Sequence, residues 1–230
     1  MVPSPDIVTL PALIAAAMIL LALLTPRRRR RRRAAGTLAR WLWSQRLSTS
    51  SHTARAGRAG ERKVARTLSR LGMPSLHDVY LPIGEDTTQI DHVVLVGGVI
   101  VVLETKHMAG LVIGRSDAPM WTQAVPGRRR RFRNPIQQNA VHLDAVALAC
   151  RPVPILGLVV FSASAKLKVL PPDAVTRLVD LPAVLEALAE RHPATRRAER
   201  AWADLTRAAN SVPVEVSRRR HVATLARLRS

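Results

Sequence analysis

Asp91, Glu104 and Lys106 have the types and spacing to hold a hard metal ion and activate water beside it. They lie in QIDHVVLVGGVIVVLETK, where two apolar runs flank Gly97-Gly98, a pair suited to the positive backbone angles of a tight hairpin turn. With those glycines as the turn, paired residues have numbers that sum to 195, and Asp91 faces Glu104. Side chains alternate along a strand, so Lys106 shares the face of Glu104, and Gln89, opposite Lys106, joins them. Two carboxylates directly opposed, with β-carbons about 5 Å apart, repel each other and call for a cation. Oxygen ligands suit Mg²⁺ or Mn²⁺. A metal held by Asp91 and Glu104 would polarise a phosphodiester and lower the pKa of a bound water. Lys106 is placed to position or deprotonate that water and to stabilise charge in the transition state. The plain alternative is a pair of strand-end acids meeting solvent, with Lys106 neutralising one.

The elements that must position this hairpin follow from periodicity. Between Arg58 and Leu71 the residues Val64, Ala65, Leu68 and Leu71 form one helical stripe that Gly72 ends. Glu61 belongs to the same inward stripe and could supply a further metal carboxylate; otherwise it is a first-turn acid complementing the helix dipole. Strands are expected at Leu76 to Ile83, Gln89 to Val96 and Val99 to Thr105, with a short one near Leu111 to Ile113. Asn134 as N-cap and Pro135 at the first helical position open a helix reaching about Cys150. Ile155 to Phe161 reads as a strand covered on both faces, and Leu178 to Asp180 as one more short strand. Helices near Pro182 to Arg191 and Thr195 to Ala209 close the domain, and Ser211 to Ser230 form a basic tail.

The chain of 230 residues is 47% hydrophobic, enough for one compact domain with its own core but not for two large ones. A lone cysteine, Cys150, rules out an intrachain disulfide framework and predicts no disulfide-linked partner, as in a reducing compartment. Of the net +20, seven positive charges are the run Arg27 to Arg33, so thirteen remain on the rest. Such a field attracts polyanions, whether nucleic acid or an anionic membrane surface.

Residues 7–24 carry no charge and are just long enough to cross a bilayer core as a helix. Positive charge follows this segment rather than preceding it, the reverse of a cleaved signal peptide. The positive-inside rule puts the short N-terminus outside and everything after Arg27 in the cytoplasm. The arginine run serves as a stop-transfer signal that can also touch anionic lipid. Ser48 to Gly57, rich in Ser, Thr, Ala and Gly, reads as a linker.

In order and spacing, GRAGERKVARTLSRLG, the hairpin with its continuation through HMAGLVIG, Trp121 and NPIQQNAVHLDAV resemble the nuclease-related domain, NERD, over about Gly57 to Ser162. That family is assigned to the restriction-endonuclease-like superfamily, with its Asp and Glu-x-Lys signature. The resemblance implies an α/β fold, a mixed central sheet flanked by helices, here preceded by one N-terminal transmembrane helix. It implies catalytic positions at Glu61, Asp91, Glu104 and Lys106. Gln138 matches the glutamine of an Asn-Pro-x-x-Gln element expected near the site. Isoleucine precedes Asp91 where the superfamily's name has proline, and His107 stands where asparagine is common. His107 and His92 are expected to be packing or polar edge residues rather than ligands.

On a nuclease the loop GRRRRFRN would bring Arg128, Arg129, Arg130, Arg131 and Arg133 to phosphates; otherwise it is a solvated insertion. The organisation expected is a membrane segment at 1–26, an Arg-rich region and linker at 27–56, a nuclease-like core at 57–165, completing strand and helices at 166–210 and a tail at 211–230. The function expected is a membrane-tethered, metal-dependent nuclease acting on DNA before RNA. The competing readings are a nucleic-acid-binding protein without turnover and a lipid-binding membrane scaffold.

Overall fold

The computed structural model describes residues 51–84 and 86–227. The expected membrane segment and Arg27 to Arg33 lie outside the described residues. Among the described residues no helix is long and apolar enough to cross a membrane.

The described residues begin with helix α1 (Ser51–Arg70), followed by β1 (Ser75–Ile83), β2 (Asp86–Val96), β3 (Val99–Lys106), β4 (Gly110–Arg115), β5 (Met120–Val125) and β6 (Arg128–Arg133). Then come α2 (Pro135–Ala149), β7 (Ile155–Phe161), β8 (Ala165–Leu170), β9 (Val175–Arg177), α3 (Leu181–Arg191), α4 (Arg196–Asn210) and α5 (Val214–Arg227). Among the described residues two sheets form, a five-stranded one in the order β1-β2-β3-β7-β9 and a four-stranded one in the order β6-β5-β4-β8.

The larger sheet is buried on both faces, which is why its central strands are almost wholly apolar. On one face Val79, Leu81, Ile90, Val93, Ile100 and Val102 pack against Val141 and Ala145 of α2 and Leu205 of α4. On the other, Val94, Val96, Val101 and Leu103 meet Val64 and Leu68 of α1 and Leu181 and Leu185 of α3. Val64 and Leu68 are fully buried, as the helical stripe requires.

β3 pairs with β7 and β4 pairs with β8, both in parallel. Backbone bonds from Ser162 N to Lys106 O (3.0 Å) and from Gly110 N to Ser164 O (3.1 Å) carry one parallel ribbon across from the first sheet to the second. The second sheet has its own core, where Trp121 and Phe132 pack edge to face at 6.1 Å and the indole donates to Arg115 O.

Several boundaries differ from the sequence expectations. Residues from Ser51 on, read as linker, are helical, so Glu61 sits in the interior of α1, which has no acid in its first turn. The dipole account of Glu61 therefore fails. The segment read as the loop GRRRRFRN is an edge strand paired with β5 across a turn in which Gly127 has φ 69°. β5 and β8 were not expected. The last short strand is Val175–Arg177 rather than Leu178 to Asp180, and it pairs with β7 in parallel. The tail from Ser211 is largely α5, anchored by His221, whose Nδ1 lies 2.8 Å from Thr87 O.

Candidate active site

The β2–β3 hairpin has the expected register: Val96 pairs with Val99 and His92 with Leu103. Only Gly97 of the two turn glycines takes a positive φ, 52°. Both are nonetheless needed, because a Cβ on Gly97 would lie 2.1 Å from His192 O and one on Gly98 2.5 Å from Pro193 O. Gly98 N also donates to His192 O (2.7 Å), so the α3–α4 loop clamps the turn.

The regular pairing stops at His92, and the next residue, Asp91, turns its carboxylate into the ladder. Its Oδ2 accepts from Thr105 N at 2.8 Å, in the place of a backbone acceptor. Ile90 and Val93 both belong to the α2-facing core, so alternation along β2 breaks once between them. The partner strand breaks at the matching position. Its Asp78, between pairs His77↔His92 and Val79↔Ile90, has φ 52°, the left-handed region that few non-glycine residues adopt. This paired break separates Gln89 from Lys106. Gln89 Nε2 instead donates to Asp78 Oδ1 at 2.6 Å, and Arg218 of α5 donates to Asp78 Oδ2 at 3.1 Å.

Glu104, on the face of Ile100 and Val102, is 2% exposed. Its Oε1 accepts from Lys106 Nζ at 2.6 Å, and the same ammonium donates to Gln138 Oε1 at 2.9 Å. Its other oxygen, Oε2, lies 3.3 Å from His142 Nε2 but makes no hydrogen bond of proper geometry. His142 Nδ1 in turn meets Thr88 Oγ1 at 3.0 Å. Gln138 and His142 reach the pair together because they are four residues apart on α2 and so share one face. Asn134, a further four residues back, caps α2 through Oδ1 and gathers the carbonyls of Arg115, Ser116 and Ala118 with Nδ2. Asn139 Nδ2 donates to Val102 O, fastening the helix to β3 two residues before Glu104.

Glu61 approaches from α1. The helix comes close enough at Gly60 that a Cβ there would lie 2.4 Å from Ser162 Oγ and 3.0 Å from His107 Cβ. His107 pairs with Ser162 (Nδ1···Oγ 3.0 Å), and His92 with His77 (Nδ1···Nδ1 2.9 Å), so neither faces the acids as a ligand.

The electrostatics divide the three acids. Burial pushes the Glu104 carboxyl up, but the Lys106 ammonium and then the His142 contact outweigh it and hold it at about 2. Burial raises Asp91 well above the ordinary range, repulsion from Glu104 adds to the shift, and the Thr105 N–H offsets only part. Glu61 is raised by burial, then by Asp78 and Glu104, against the pull of Arg58 and Lys106. Asp91 thus carries charge at a cost that a cation would remove. The donors are hard carboxylate oxygens, a set that fits Mg²⁺ or Mn²⁺. Among the described residues no three His, Cys, Asp or Glu side chains form a ready-made metal cage. Magnesium needs none, being held by one or two carboxylates with water and substrate phosphate.

Asp91, Glu104, Lys106, Gln138 and Glu61 are therefore brought to one region, and Gln89 is tied to its margin through Asp78. Sequence reasoning missed His142, Asp78 and Arg218. An aspartate inside strand β1 was the available signal, since strands are depleted in it; the spacing from Gln138 to His142 was another. Arg128 to Arg133 lie on the separate edge strand β6. Phe132 points into the core, so alternation puts Arg128 and Arg130 on one face and Arg129, Arg131 and Arg133 on the other. A single five-arginine surface does not form.

Residues 56–162 match the family model described as the nuclease-related domain. An uncharacterized protein of Bacillus anthracis is 38% identical over 118 residues, a stretch that spans 49% of this chain and 55% of that protein. No solved structure matches the chain. With Asp91, Glu104 and Lys106 inside the matched segment, residues 56–162 are a NERD nuclease-related domain of the restriction-endonuclease-like kind.

Proposed function

We propose that this protein is a metal-dependent nuclease that hydrolyses phosphodiester bonds, in DNA before RNA, tethered by residues 7–24 with its catalytic domain on the cytoplasmic side. The observation that carries the reading is the buried Glu104, paired with Lys106 at 2.6 Å and repelling a charge-strained Asp91 beside it. Asp91 and Glu104 would hold Mg²⁺ or Mn²⁺, with Glu61 as a further carboxylate. When bound, the ion supplies positive charge to a phosphate oxygen and makes water a nucleophile near neutral pH. Lys106 orients the attacking water and donates to the phosphate oxygen that gains charge. Gln138, which accepts from Lys106 at 2.9 Å, fixes the ammonium in place together with Glu104. The preference for DNA follows what restriction-endonuclease-like enzymes mostly act on.

Incubating the purified full chain with duplex, single-stranded and branched DNA and with RNA, in Mg²⁺, Mn²⁺ or EDTA, tests the proposal. Cleavage is expected only with metal, and Glu104→Ala and Lys106→Ala should abolish it without unfolding the protein. Equal activity in the wild type and both variants would expose a contaminant and sink the assignment. A second reading, a nucleic-acid binder without turnover, is favoured by the Lys106 ammonium lying on Glu104 where a cation would bind. It requires salt-sensitive binding that survives loss of Glu104 and needs no divalent metal.

A further inference from the structure

A groove of about 820 Å³ opens beside α1 at the carboxyl ends of β7 and β9. In parallel sheets, ligands bind in crevices at that end of the strands. Four cations line it, Lys63 and Arg70 from α1, Lys166 at the start of β8 and Arg177 at the end of β9, and no acid does. Arg177 is engaged by Asp180 at 2.6 Å. Lys63, Arg70 and Lys166 are exposed and have no ion pair among the described residues. Cations around a concavity focus a positive field into it. Ser164 adds an exposed hydroxyl that can donate to phosphate oxygens, whereas the Thr67 hydroxyl donates to Lys63 O at 3.2 Å.

The groove is next to the acidic site rather than part of it. Ser162 lines the groove and bonds His107, the neighbour of Lys106, and Phe161 stands in register with Lys106. Part of the lining is apolar, from Leu178, Pro182 and Val179, the last 76% exposed. An apolar lining suits sugar and base, and a bare anion gains nothing from it.

We propose that this groove binds the sugar-phosphate backbone of a nucleic-acid strand as it leaves the Asp91–Glu104–Lys106 site, with Lys63, Arg70 and Lys166 contacting phosphates. The direction of the strand rests on the nuclease reading; the binding does not, and it is measured without cleavage. The full chain is titrated against a fluorescein-labelled oligonucleotide in EDTA at several salt concentrations. Lys63→Ala/Lys166→Ala is compared with Arg196→Ala/Arg200→Ala, which removes the same charge from two exposed positions on α4. The groove variant should bind about tenfold more weakly, with the salt slope reduced by about two, while the α4 variant stays near the wild type.

Equal weakening in both variants means diffuse charge alone and overturns the proposal, as does unchanged binding in the groove variant. Inorganic phosphate, at matched ionic strength, displacing the oligonucleotide from the wild type but not from the groove variant would make this a free-phosphate site instead. Loss of binding to phosphatidylglycerol vesicles with oligonucleotide binding intact would make it a lipid site. Absence of cleavage leaves a positive result standing, so the two readings fail separately.

Discussion

His142 Nε2 lies 3.3 Å from Glu104 Oε2, and the two side chains are only 1% and 3% exposed. Glu104 titrates at about 2, below its ordinary 4.5, so the folded state holds its proton less tightly than the unfolded chain does. The resulting stabilisation is complete above pH 4.5 and is lost as pH falls from there through 2. Melting temperatures over this range should therefore fall more steeply for the wild type than for Glu104→Gln. His142→Ala removes the imidazole from beside Oε2 and leaves the buried Thr88 Oγ1 without its 3.0 Å partner, and it should cost about 1–3 kcal/mol in denaturant unfolding at neutral pH. An unchanged midpoint would show that the histidine contributes nothing to holding the carboxylate.

Asp91 has the opposite sign. Its folded pKa is raised above the ordinary 3.8, so the penalty sets in as pH rises above 3.8 and is greatest once the folded carboxyl has ionised. Asp91→Asn keeps an acceptor for Thr105 N and removes the repulsion with Glu104. It should melt higher than the wild type in EDTA near neutral pH, by about 2–4 °C for each kcal/mol recovered. Mg²⁺ should raise the wild-type melting temperature and leave the variant almost unmoved. A variant that melts lower in EDTA would mean that the charge on Asp91 is not strained.

The hairpin was legible because one glycine pair and strict alternation fix both register and facing, and Glu104 and Lys106 share a face as expected. Gln89 was misplaced for a physical reason. Counting from the turn assumes unbroken alternation, and the paired break at Asp78 and Asp91 depends on a left-handed aspartate that propensity does not anticipate. β6 was hidden because four consecutive arginines read as a solvated loop, whereas pairing with β5 and one inward residue, Phe132, suffice to make a strand. α5 leaves Val216 and Val222 exposed and is held by tertiary contacts from His221 and Arg218, which composition alone does not reveal.

Gln138 Oε1 accepts from the Lys106 ammonium at 2.9 Å. Gln138→Ala should leave the fold intact and lower kcat about 10- to 100-fold, the usual cost of losing a group that orients a catalytic one. Gln138→Glu should retain more activity than the alanine variant, because it still accepts from Lys106. Equal loss in both would show that the amide acts in some way other than by holding the ammonium.

Gly60 sets the distance between α1 and the end of β3. Because an added Cβ would lie 2.4 Å from Ser162 Oγ, Gly60→Ala should force the helix outward and carry Glu61 with it. Overpacking of this kind costs about 1–3 kcal/mol. Cleavage should fall further than this stability loss explains, and Ser162→Gly should rescue it in part, by removing the nearer obstruction while His107 Cβ still lies 3.0 Å from the added methyl. Failure of that rescue would separate Glu61 from the position of α1.

The arginines of β6 serve one of two ends, and the strand's alternation distinguishes them. Charged residues on an edge strand keep it from pairing with another chain, a role that depends on charge along the edge rather than on one face. Phosphate contact requires that the side chains on a single face act together. Arg129→Ala/Arg131→Ala and Arg128→Ala/Arg130→Ala remove equal charge from opposite faces. If β6 contacts nucleic acid, one pair should lower the salt slope of oligonucleotide binding by about two and the other should leave it unchanged. If the arginines only guard the edge, both variants should keep the slope and self-associate at lower concentration in light scattering. A slope lowered equally by both pairs would fit neither face-specific contact nor edge protection, and would reduce β6 to a share of the general positive field.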